Sequence, residues 1–134
     1  MSRIEGGCRC GAVRYEAEGD AAHHAICHCR DCQMASGAPM LAWLAMPAEG
    51  FTVTKGDPVR YTAPSGSMRA FCGTCGTPMF FINEAVLPGI VDIQSVTLDD
   101  PDSVAPQAQI QIAERRAWVE KLNGLPKFER FPGP

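Results

Sequence analysis

The sequence predicts a mainly β protein made of short strands joined by turns, with few and short helices. Eleven prolines and thirteen glycines interrupt the 134-residue chain every few residues, which leaves little room for long helices. Several short runs between these breaks are rich in β-branched and aromatic residues, a composition typical of strands. Seven cysteines, clustered at metal-ligand spacing, could staple such strands together.

The first half of the chain contains three predicted strands and one helix. Residues 12–17 alternate between apolar and polar side chains, as expected of a strand with one buried face. Residues 51–54 are short and β-branched, and residues 59–63 follow a Gly-Asp-Pro turn. The polar residues 30–35 follow the second cysteine cluster and are predicted to form a short helix.

The second half contains four more predicted strands. Residues 68–71 lead into the last cysteine pair and residues 78–82 leave it, so the Cys-Gly-Thr-Cys-Gly segment between them is predicted to be a hairpin tip. The two glycines of this segment are expected to permit backbone angles that other residues resist. Residues 89–96 and 109–113 are again rich in β-branched residues and are predicted to be strands.

A second short helix is predicted near the end of the chain, at residues 113–122, with Trp118 and Leu122 on one face. Prolines beyond it mark the tail as extended. No internal repeat, low-complexity tract or linker divides the sequence. Residues 1–134 are therefore expected to form one domain, large enough for a modest hydrophobic core.

Charge and hydropathy exclude several classes of function. The net charge is −3, and the longest basic run is the pair Arg115 and Arg116, so there is no basic stripe for a nucleic-acid backbone. The apolar residues 38–48 are broken by two prolines and are too few to span a membrane. The chain also begins without an apolar secretion signal. We therefore expect a cytoplasmic protein with no membrane or nucleic-acid partner.

The seven cysteines fall into three clusters, and the spacing within the clusters favours metal binding over the other uses of cysteine. A disulfide framework requires an oxidising compartment and would leave one thiol of the odd count unpaired. Cysteines that served only as small buried hydrophobes would have no reason to cluster. The clusters are Cys8 and Cys10; Cys27, Cys29 and Cys32; and Cys72 and Cys75.

Two of these clusters add up to one closed zinc site. Cys8 and Cys10 are predicted to face the same side of a strand, because strand side chains alternate with period two, but two ligands cannot hold zinc alone. Cys72 and Cys75 complete a shell of four cysteines. Such a site would connect the start of the chain to its middle across more than sixty residues, so its role is expected to be structural.

The central cluster predicts a site of a different kind. Cys27, Cys29 and Cys32 supply three ligands, and three protein ligands with an exchangeable fourth position are typical of catalytic zinc. Such an ion lowers the pKa of a bound thiol, and a thiolate-rich ion favours sulfur as its exogenous ligand. The predicted chemistry is activation of a small thiol.

A second division of the ligands is compatible with the sequence. A histidine could close the three-cysteine site, which would make both sites structural, and the candidates are His23, His24 and His28. His28 lies between two ligands and, in an extended chain, would point away from their ion. His23 and His24 are close enough in sequence to loop back, and the alternative for each is an ordinary surface histidine.

The order of three motifs resembles the glutathione-dependent formaldehyde-activating enzyme family, also called the CENP-V/GFA domain family. The motifs are Gly-Cys-x-Cys-Gly-x-Val-Arg-Tyr at residues 7–15, Cys-His-Cys-x-x-Cys with Ala-Ser-Gly-Ala-Pro within residues 27–39, and Arg-x-Phe-Cys-x-x-Cys-Gly within residues 69–80. The likeness continues more weakly through residues 98–101 and 118–126. It covers essentially the whole chain, in order and without large gaps.

The resemblance implies a fold, an activity and a set of ligands. By this resemblance, the fold would consist of twisted antiparallel β-sheets of the Mss4-like, β-tent type. The founding activity of the family is the condensation of glutathione with formaldehyde to S-hydroxymethylglutathione. By that likeness the chain would be a carbon–sulfur lyase-type enzyme with glutathione and a small aldehyde as partners. It would hold two zinc ions, the second more easily lost on purification: a structural ion at Cys8, Cys10, Cys72 and Cys75, and an open ion at the catalytic Cys27, Cys29 and Cys32.

Four further residues are predicted to contact the substrate. Arg30 and Arg69 could pair with the carboxylates of glutathione, because guanidinium binds carboxylate bidentately. The alternatives are a solvated side chain for Arg30 and a cross-strand pair for Arg69. Ser36 and Gly37 follow the triplet directly and could line the open site through backbone donors, or form the turn that ends a helix. Gln109 stands where the family often has a histidine, a difference expected to alter the pocket.

Two other functions fit parts of the pattern. A zinc-stapled binding module with two closed, structural sites would need no turnover, and it should not bind glutathione in a zinc-dependent way. A methionine sulfoxide reductase-like activity also uses paired Cys-x-x-Cys zinc ligands. That activity needs a free nucleophilic cysteine, and the division into four plus three leaves none.

Overall fold

Ten strands dominate the structure, a computed structural model that describes residues 2–133. One α-helix, α1 (Arg30–Ser36), and four 3₁₀ segments accompany them in this part of the chain. The 3₁₀ segments are Ala48–Gly50, Ser95–Thr97, Ile112–Glu114 and Ala117–Gly124. The strands are β1 (Ser2–Gly7), β2 (Arg14–Gly19), β3 (His23–Cys27), β4 (Leu41–Pro47), β5 (Phe51–Lys55), β6 (Val59–Thr62), β7 (Met68–Phe71), β8 (Pro78–Ile82), β9 (Ile90–Gln94) and β10 (Ala108–Ile110).

The strands form two sheets, and the predicted mainly β fold is confirmed. β1, β2 and β5 make a three-stranded antiparallel sheet. The other seven strands make a larger sheet in the order β10-β3-β4-β9-β8-β7-β6, in which β10 and β3 are parallel and the other pairs are antiparallel. Among the described residues, no helix combines the length and the apolar character needed to cross a membrane.

The main hydrophobic core lies between the two sheets. Leu44, Ile93 and Phe80 occupy one row across β4, β9 and β8, so their side chains project from the same face of the large sheet. Two rings of the small sheet meet Phe80 edge-on: Tyr15 at a ring-centroid distance of 5.1 Å, and Phe51 at 4.7 Å. Edge-on aromatic pairs add stability beyond the area that they bury, so these rings help to fix how the sheets stack.

The opposite face of the large sheet carries a row of side chains that includes three ionisable groups. His23, Ala45, Asp92, Phe81 and Arg69 are paired in turn across β3, β4, β9, β8 and β7. Directly paired residues of antiparallel strands point to the same side, so these five side chains share one face. We call them the transverse row. It faces away from the core between the sheets.

Several predicted elements match the structure closely. The strands predicted at residues 68–71 and 78–82 have the same bounds as β7 and β8. The predicted first helix is α1, whose N-terminus is capped by the Cys29 sulfur, the acceptor of a hydrogen bond from the Cys32 N–H. Gly37 ends the helix with a φ of 73°, a left-handed conformation that favours glycine.

The sequence patterns do not predict three of the strands, β1, β3 and β4. The most informative case is β4, which lies between β3 and β9 in the interior of the large sheet. Its residues 43–46 are all buried. A strand that is buried on both faces has a continuous apolar run instead of alternation, so periodicity does not identify it.

The C-terminal part of the chain differs from its prediction. The strand predicted at residues 109–113 is the shorter β10, and Gln111, directly after it, adopts a positive φ of 56° that a strand does not allow. The helix predicted at residues 113–122 forms as the 3₁₀ segment Ala117–Gly124. Trp118 is 53% exposed and no residue of this segment is buried, so no apolar face stabilises an α-helix there.

Asp92 is the member of the transverse row whose burial costs stability. Its side chain is 9% exposed, and its Oδ1 has no hydrogen-bond partner among the described residues. Burial raises the pKa of Asp92 to about 6, with His23 opposing the shift. The pKa of an aspartate in an unfolded chain is about 4. Between these values the folded chain binds more protons than the unfolded chain, so stability falls as the pH rises from about 4 to about 6 and stays lower above that.

We predict that Asp92→Asn stabilises the protein above about pH 6 and has little effect near pH 4. Asparagine keeps the shape of the side chain and removes the buried charge, so the gain in unfolding free energy should approach about 2–3 kcal/mol at neutral pH. Urea unfolding of both chains across this pH range measures the difference. Both chains have the same seven cysteines, so protonation of the thiols cancels in the difference between the two unfolding free energies. A variant less stable than the wild type at neutral pH would contradict an uncompensated buried carboxylate.

Candidate metal centres and the adjoining cleft

Four cysteines from two distant turns meet at one point. Cys8 and Cys10 lie in the turn that follows β1, and Cys72 and Cys75 lie at the hairpin tip between β7 and β8. Their four Sγ atoms are all within 4.8 Å of one another. The prediction that Cys8 and Cys10 lie on a strand is wrong, because β1 ends one residue before Cys8 and a turn brings the two thiols together.

The sulfur–sulfur distances in this group match a tetrahedral metal shell. The Cys10 Sγ lies 3.6 Å from the Cys8 Sγ and 3.8 Å from the Cys72 Sγ. Four ligands placed tetrahedrally at a zinc–sulfur distance of about 2.3 Å are about 3.8 Å apart, whereas a disulfide needs about 2.05 Å. All seven cysteines are free thiols. The four-cysteine group therefore fits an ion such as zinc.

Backbone amides point at the sulfurs of the four-cysteine group. The Val13 N–H donates to the Cys8 Sγ at 3.2 Å. The N–H groups of Thr74 and Cys75 both donate to the Cys72 Sγ at 3.4 Å. Hydrogen bonds to a sulfur favour its ionised form, and the thiolate is the form that binds a metal. The backbone of both turns is thus arranged for metal ligation.

The two glycines of the hairpin tip serve different purposes. Gly76 has a positive φ of 84°, in line with the predicted need for glycine. Gly73 has no such conformation. A Cβ at Gly73 would lie 3.0 Å from the Val59 Cγ2, so this position requires space and not an unusual backbone angle.

Thr77 connects the two turns, and the sequence patterns do not single it out. Its hydroxyl accepts a hydrogen bond from the Arg9 N–H at 3.1 Å and lies 3.2 Å from the Cys75 Sγ. The contact with Thr77 is the largest of the effects that lower the pKa of Cys75 to about 5. One hydroxyl group therefore holds the first turn against the hairpin and favours the thiolate of the second.

Cys27, Cys29 and Cys32 form a second group around the start of α1, which we call the triplet. Cys27 ends β3, Cys29 caps α1 and Cys32 lies in the first turn of the helix. Their Sγ atoms are within 4.8 Å of one another, and those of Cys27 and Cys32 are 3.8 Å apart, again the edge of a tetrahedral shell. Among the residues that the structure describes, the group has these three members, so a metal here would keep a position for another ligand.

The histidines near the triplet contact other groups. His28 is fully buried, and its Nε2 lies 2.8 Å from the Oε1 of Gln109, the residue that departs from the expected pattern. An amide oxygen only accepts, so this nitrogen carries the proton, and the pair connects β10 to the triplet. His24 lies 2.7 Å from the Ser95 Oγ on the core side of the sheet. His23 belongs to the transverse row.

Arg69 links the triplet to the transverse row. Its Nη2 donates to the Asp31 Oδ2 at 2.7 Å and lies 3.6 Å from the Cys32 Sγ. Its guanidinium also lies over the Phe81 ring, 4.9 Å from the centroid, as a cation–π contact. Burial alone would lower the pKa of Arg69, but the bonds to Asp31 and Cys32 outweigh burial and raise it. A fixed positive charge therefore stands beside the triplet.

The three thiols of the triplet do not ionise alike. The contact with the Cys27 Sγ lowers the pKa of Cys32 to about 5, against the effect of burial and with a smaller contribution from Arg69. The same contact raises the pKa of Cys27, and burial raises that of Cys29. Cys32 is thus the first of the three to become a thiolate, and so the first to be ready as a ligand.

A cleft of about 260 Å³ opens beside the triplet, and we call it the triplet cleft. The three cysteines line it together with His23, Asp92, Phe81 and Arg69 of the transverse row. Apolar groups make up most of its remaining wall, so charges inside it are less screened than in water. The other lining residues are Asp31, Trp43, Val86, Leu87, Ile110 and Gln111.

The structure separates the four residues predicted to contact a substrate. Arg69 lines the triplet cleft. Ser36 lines an adjacent cleft of about 310 Å³, which shares Arg69 and Trp43 with the triplet cleft. Arg30 and Gly37 line an outer groove instead. Of the four, only Arg69 lines the triplet cleft, whereas the Ser36 hydroxyl donates to the backbone carbonyl of Cys32 at 2.7 Å.

The sequence patterns do not identify Asp92 as a site residue, and they suggest His23 only as a possible metal ligand. One signal for Asp92 is present in the sequence, because it is the acid in the otherwise uncharged strand β9. Its neighbours Val91 and Ile93 are buried in the core cluster, so the alternation of a strand directs Asp92 to the other face. No local signal indicates that His23 faces Asp92.

Comparisons with known proteins agree with this fold. A relative from Schizosaccharomyces pombe, described as an uncharacterised lyase, is 29% identical over 76% of this chain and 84% of its own length. The crystal structure of a Rhodobacter sphaeroides protein matches with a TM-score of 0.64 at 22% identity, covering 79% of this chain and 99% of that one. At this level of identity the structural match shows the fold alone.

The family match covers most of the chain. A model of the glutathione-dependent formaldehyde-activating enzyme family matches residues 3–114. This span contains both cysteine groups, the helix α1 and the transverse row. The resemblance carried by the three cysteine motifs is therefore confirmed, and the chain belongs to the glutathione-dependent formaldehyde-activating enzyme family.

Proposed function

We propose that this protein is a zinc-dependent enzyme of the carbon–sulfur lyase type that forms or cleaves an adduct between glutathione and a small aldehyde. The observation that carries the proposal is the triplet, three thiols at tetrahedral spacing that line a cleft beside a fixed guanidinium. Family membership supports this activity. The description of the S. pombe relative as a lyase supports the same class of reaction.

The chemistry of the ligands favours zinc. Calcium and magnesium prefer oxygen ligands, whereas groups of thiols favour zinc and other soft ions. When held by Cys27, Cys29 and Cys32, a zinc ion would act as a Lewis acid that lowers the pKa of a substrate thiol at its remaining position. The four-cysteine group offers a closed shell and is proposed to be structural.

Arg69 is proposed to position the substrate. Its guanidinium has donors beyond the one that Asp31 engages, and these can bind a carboxylate of glutathione. Its charge also favours the thiolate form of Cys32 and attracts an anionic substrate. Trp43 and Phe81 flank the guanidinium and make the wall beside it apolar. The arginine thus combines binding with electrostatic support of the triplet.

Together, the two clefts suit a thiol substrate that extends well beyond its reacting sulfur. The triplet cleft, at about 260 Å³, accommodates the thiol end of glutathione and a small aldehyde. The adjacent cleft of about 310 Å³ shares Arg69 and Trp43 and could receive the rest of the tripeptide. Within the triplet cleft the sulfur would add to the aldehyde carbon, and the carbonyl oxygen would take up a proton.

The state of the cysteines favours a reducing location. All seven thiols are free, and thiols stay reduced in compartments where the glutathione pool is reducing. The proposed substrate is abundant in the same setting. We therefore propose that the enzyme works in the cytoplasm.

The metal content distinguishes the two cysteine groups. The zinc-loaded wild type should hold one ion for each group, and the triple variant Cys27→Ser, Cys29→Ser, Cys32→Ser should keep the fold and lose one ion. The double variant Cys8→Ser, Cys10→Ser should unfold, because binding free energy at a closed site is also folding free energy. Elemental analysis and circular dichroism measure both properties. Loss of the fold in the triple variant would indicate a structural triplet and a binding module without turnover.

Glutathione binding tests the role of Arg69. We expect Arg69→Gln to weaken the binding of glutathione to the zinc-loaded protein about tenfold or more, because a hydrogen-bonded charge pair contributes about 1.5–3 kcal/mol. Isothermal titration calorimetry measures this.

Arg60→Gln is the matched control for that experiment. Arg60 lies on the neighbouring strand β6 and pairs with Asp57 at the surface, outside both clefts. Its replacement removes the same charge and should leave binding unchanged. Equal affinities for Arg69→Gln and the wild type would show that Arg69 only pairs with Asp31.

A further inference from the structure

The triplet cleft contains a buried acid that has no role in binding the metal or the carboxylates of a substrate. Asp92 lines this cleft together with Cys27 and Cys32. Its side chain is 9% exposed, and its Oδ1 has no hydrogen-bond partner among the described residues. Buried polar atoms nearly always have a partner. The carboxyl group of Asp92 thus lines the cleft with hydrogen-bonding capacity that the described residues do not use.

His23 connects this acid to the surface. His23 and Asp92 lie on either side of Ala45 in the transverse row. Because Ala45 has only a methyl group, the two longer side chains approach each other over it, with the His23 Nε2 3.9 Å from the Asp92 Oδ1. The His23 side chain is 41% exposed. A proton can therefore pass between the buried acid and solvent, directly after a small movement or through one water.

We propose that Asp92 is the proton-transfer residue of the triplet cleft and that His23 is a positioning residue that connects it to solvent. This inference rests on the proposed function. Addition of a thiol to an aldehyde requires one proton to leave sulfur and one proton to reach oxygen. A single carboxyl group in the wall of the cleft can carry out both transfers in turn.

The protons and electrons of this reaction balance without a further reactant. The Asp92 carboxylate takes the proton of the incoming thiol. A sulfur electron pair then forms the bond to the aldehyde carbon, and the C=O electron pair moves onto the oxygen. The Asp92 carboxylic acid returns the proton to that oxygen, which gives the S-hydroxyalkyl product and restores the carboxylate. Cleavage of the adduct follows the same steps in reverse.

The charged and titratable groups around Asp92 leave it free for this role. His23 faces it from β3, Arg69 shares its row from β7, and Cys32 of α1 lines the same cleft. The neighbouring strands β4 and β8 present only apolar side chains in this row. Arg69 does not give up its proton, and Cys32 is committed to the triplet.

Asp31, the second acid of the cleft, is less suited to proton transfer. Its side chain is 75% exposed and is bound by Arg69 at 2.7 Å. A carboxylate in a solvated ion pair stays ionised and has little drive to take up a proton. The side chain of Asp92 is only 9% exposed and no cation lies within hydrogen-bond distance of its Oδ1, so it differs from Asp31 in both respects.

The protonation behaviour of Asp92 agrees with the geometry. Burial raises its pKa to about 6, and general acids and bases work best when their pKa lies near the operating pH. The same burial lowers the stability of the fold at neutral pH. A destabilising group that lines a cleft is typical of residues retained for activity.

The test compares Asp92→Asn with the wild type as zinc-loaded full-length protein, using glutathione and formaldehyde. Exchange nuclear magnetic resonance measures the acceleration of S-hydroxymethylglutathione formation over the uncatalysed reaction, and calorimetry measures glutathione binding separately. We expect the rate to fall about 100-fold or more, with glutathione affinity within about twofold of the wild type. Asp20→Asn, an exposed acid outside the cleft, makes the same charge change and should keep the wild-type rate.

Two further measurements keep the proposal testable: the first does not depend on the folding of Asp92→Asn, and the second does not depend on turnover. His23→Gln changes a partly exposed side chain and should lower the rate, though by less than Asp92→Asn. The infrared carbonyl band of a protonated buried carboxyl group should be present in the wild type at mildly acidic pH, disappear at alkaline pH, and be absent from Asp92→Asn.

The outcomes separate this inference from the proposed function. A wild type that neither binds glutathione nor accelerates the reaction overturns the proposed function, and this inference with it. A wild type that does both, with Asp92→Asn equally fast, overturns only the role of Asp92. A variant that loses affinity and rate together would make Asp92 a binding residue. His23→Gln at the wild-type rate would remove His23 from the proposal.

Discussion

The pairing register of β4 with its two neighbours is the constraint on which the site depends. It places Ala45 between His23 and Asp92 on one face of the large sheet, while Leu44 and Met46 of the same strand belong to the core on the other. Because strand side chains alternate with period two, a slip of one residue would exchange the two faces. The slipped strand would take Leu44 and Met46 out of the core. Burial of the apolar face therefore positions the residues of the site.

The two cysteine groups use the same ligand in different settings. The four-cysteine group is built from two turns that are 62 residues apart at Cys10 and Cys72, and its sulfurs receive backbone N–H donors. The triplet is built from one short stretch at the start of α1, and it lines a cleft whose wall includes the guanidinium of Arg69. A closed group that joins distant turns suits stability, whereas a local group beside a cleft suits chemistry.

Sequence patterns predicted the parts of the molecule that are specified locally. The hairpin strands β7 and β8 and the helix α1 have bounds at or near the predicted ones, because turn residues and caps act within a few positions. The strand β4 was not predicted, because burial on both faces removes the alternation that marks a strand. The turn at Cys8 and Cys10 was predicted as a strand because its spacing of two residues fits either conformation.

By itself, the sequence determined the mainly β class, the family, and the grouping of the cysteines into four and three, since these depend on composition, motif order and short spacings. Only the tertiary structure placed Arg69 beside the triplet and brought His23 and Asp92 together across Ala45. Those contacts join strands that are distant in the sequence. Their register is decided by apolar burial summed over the whole sheet, and no short segment of the chain contains that information.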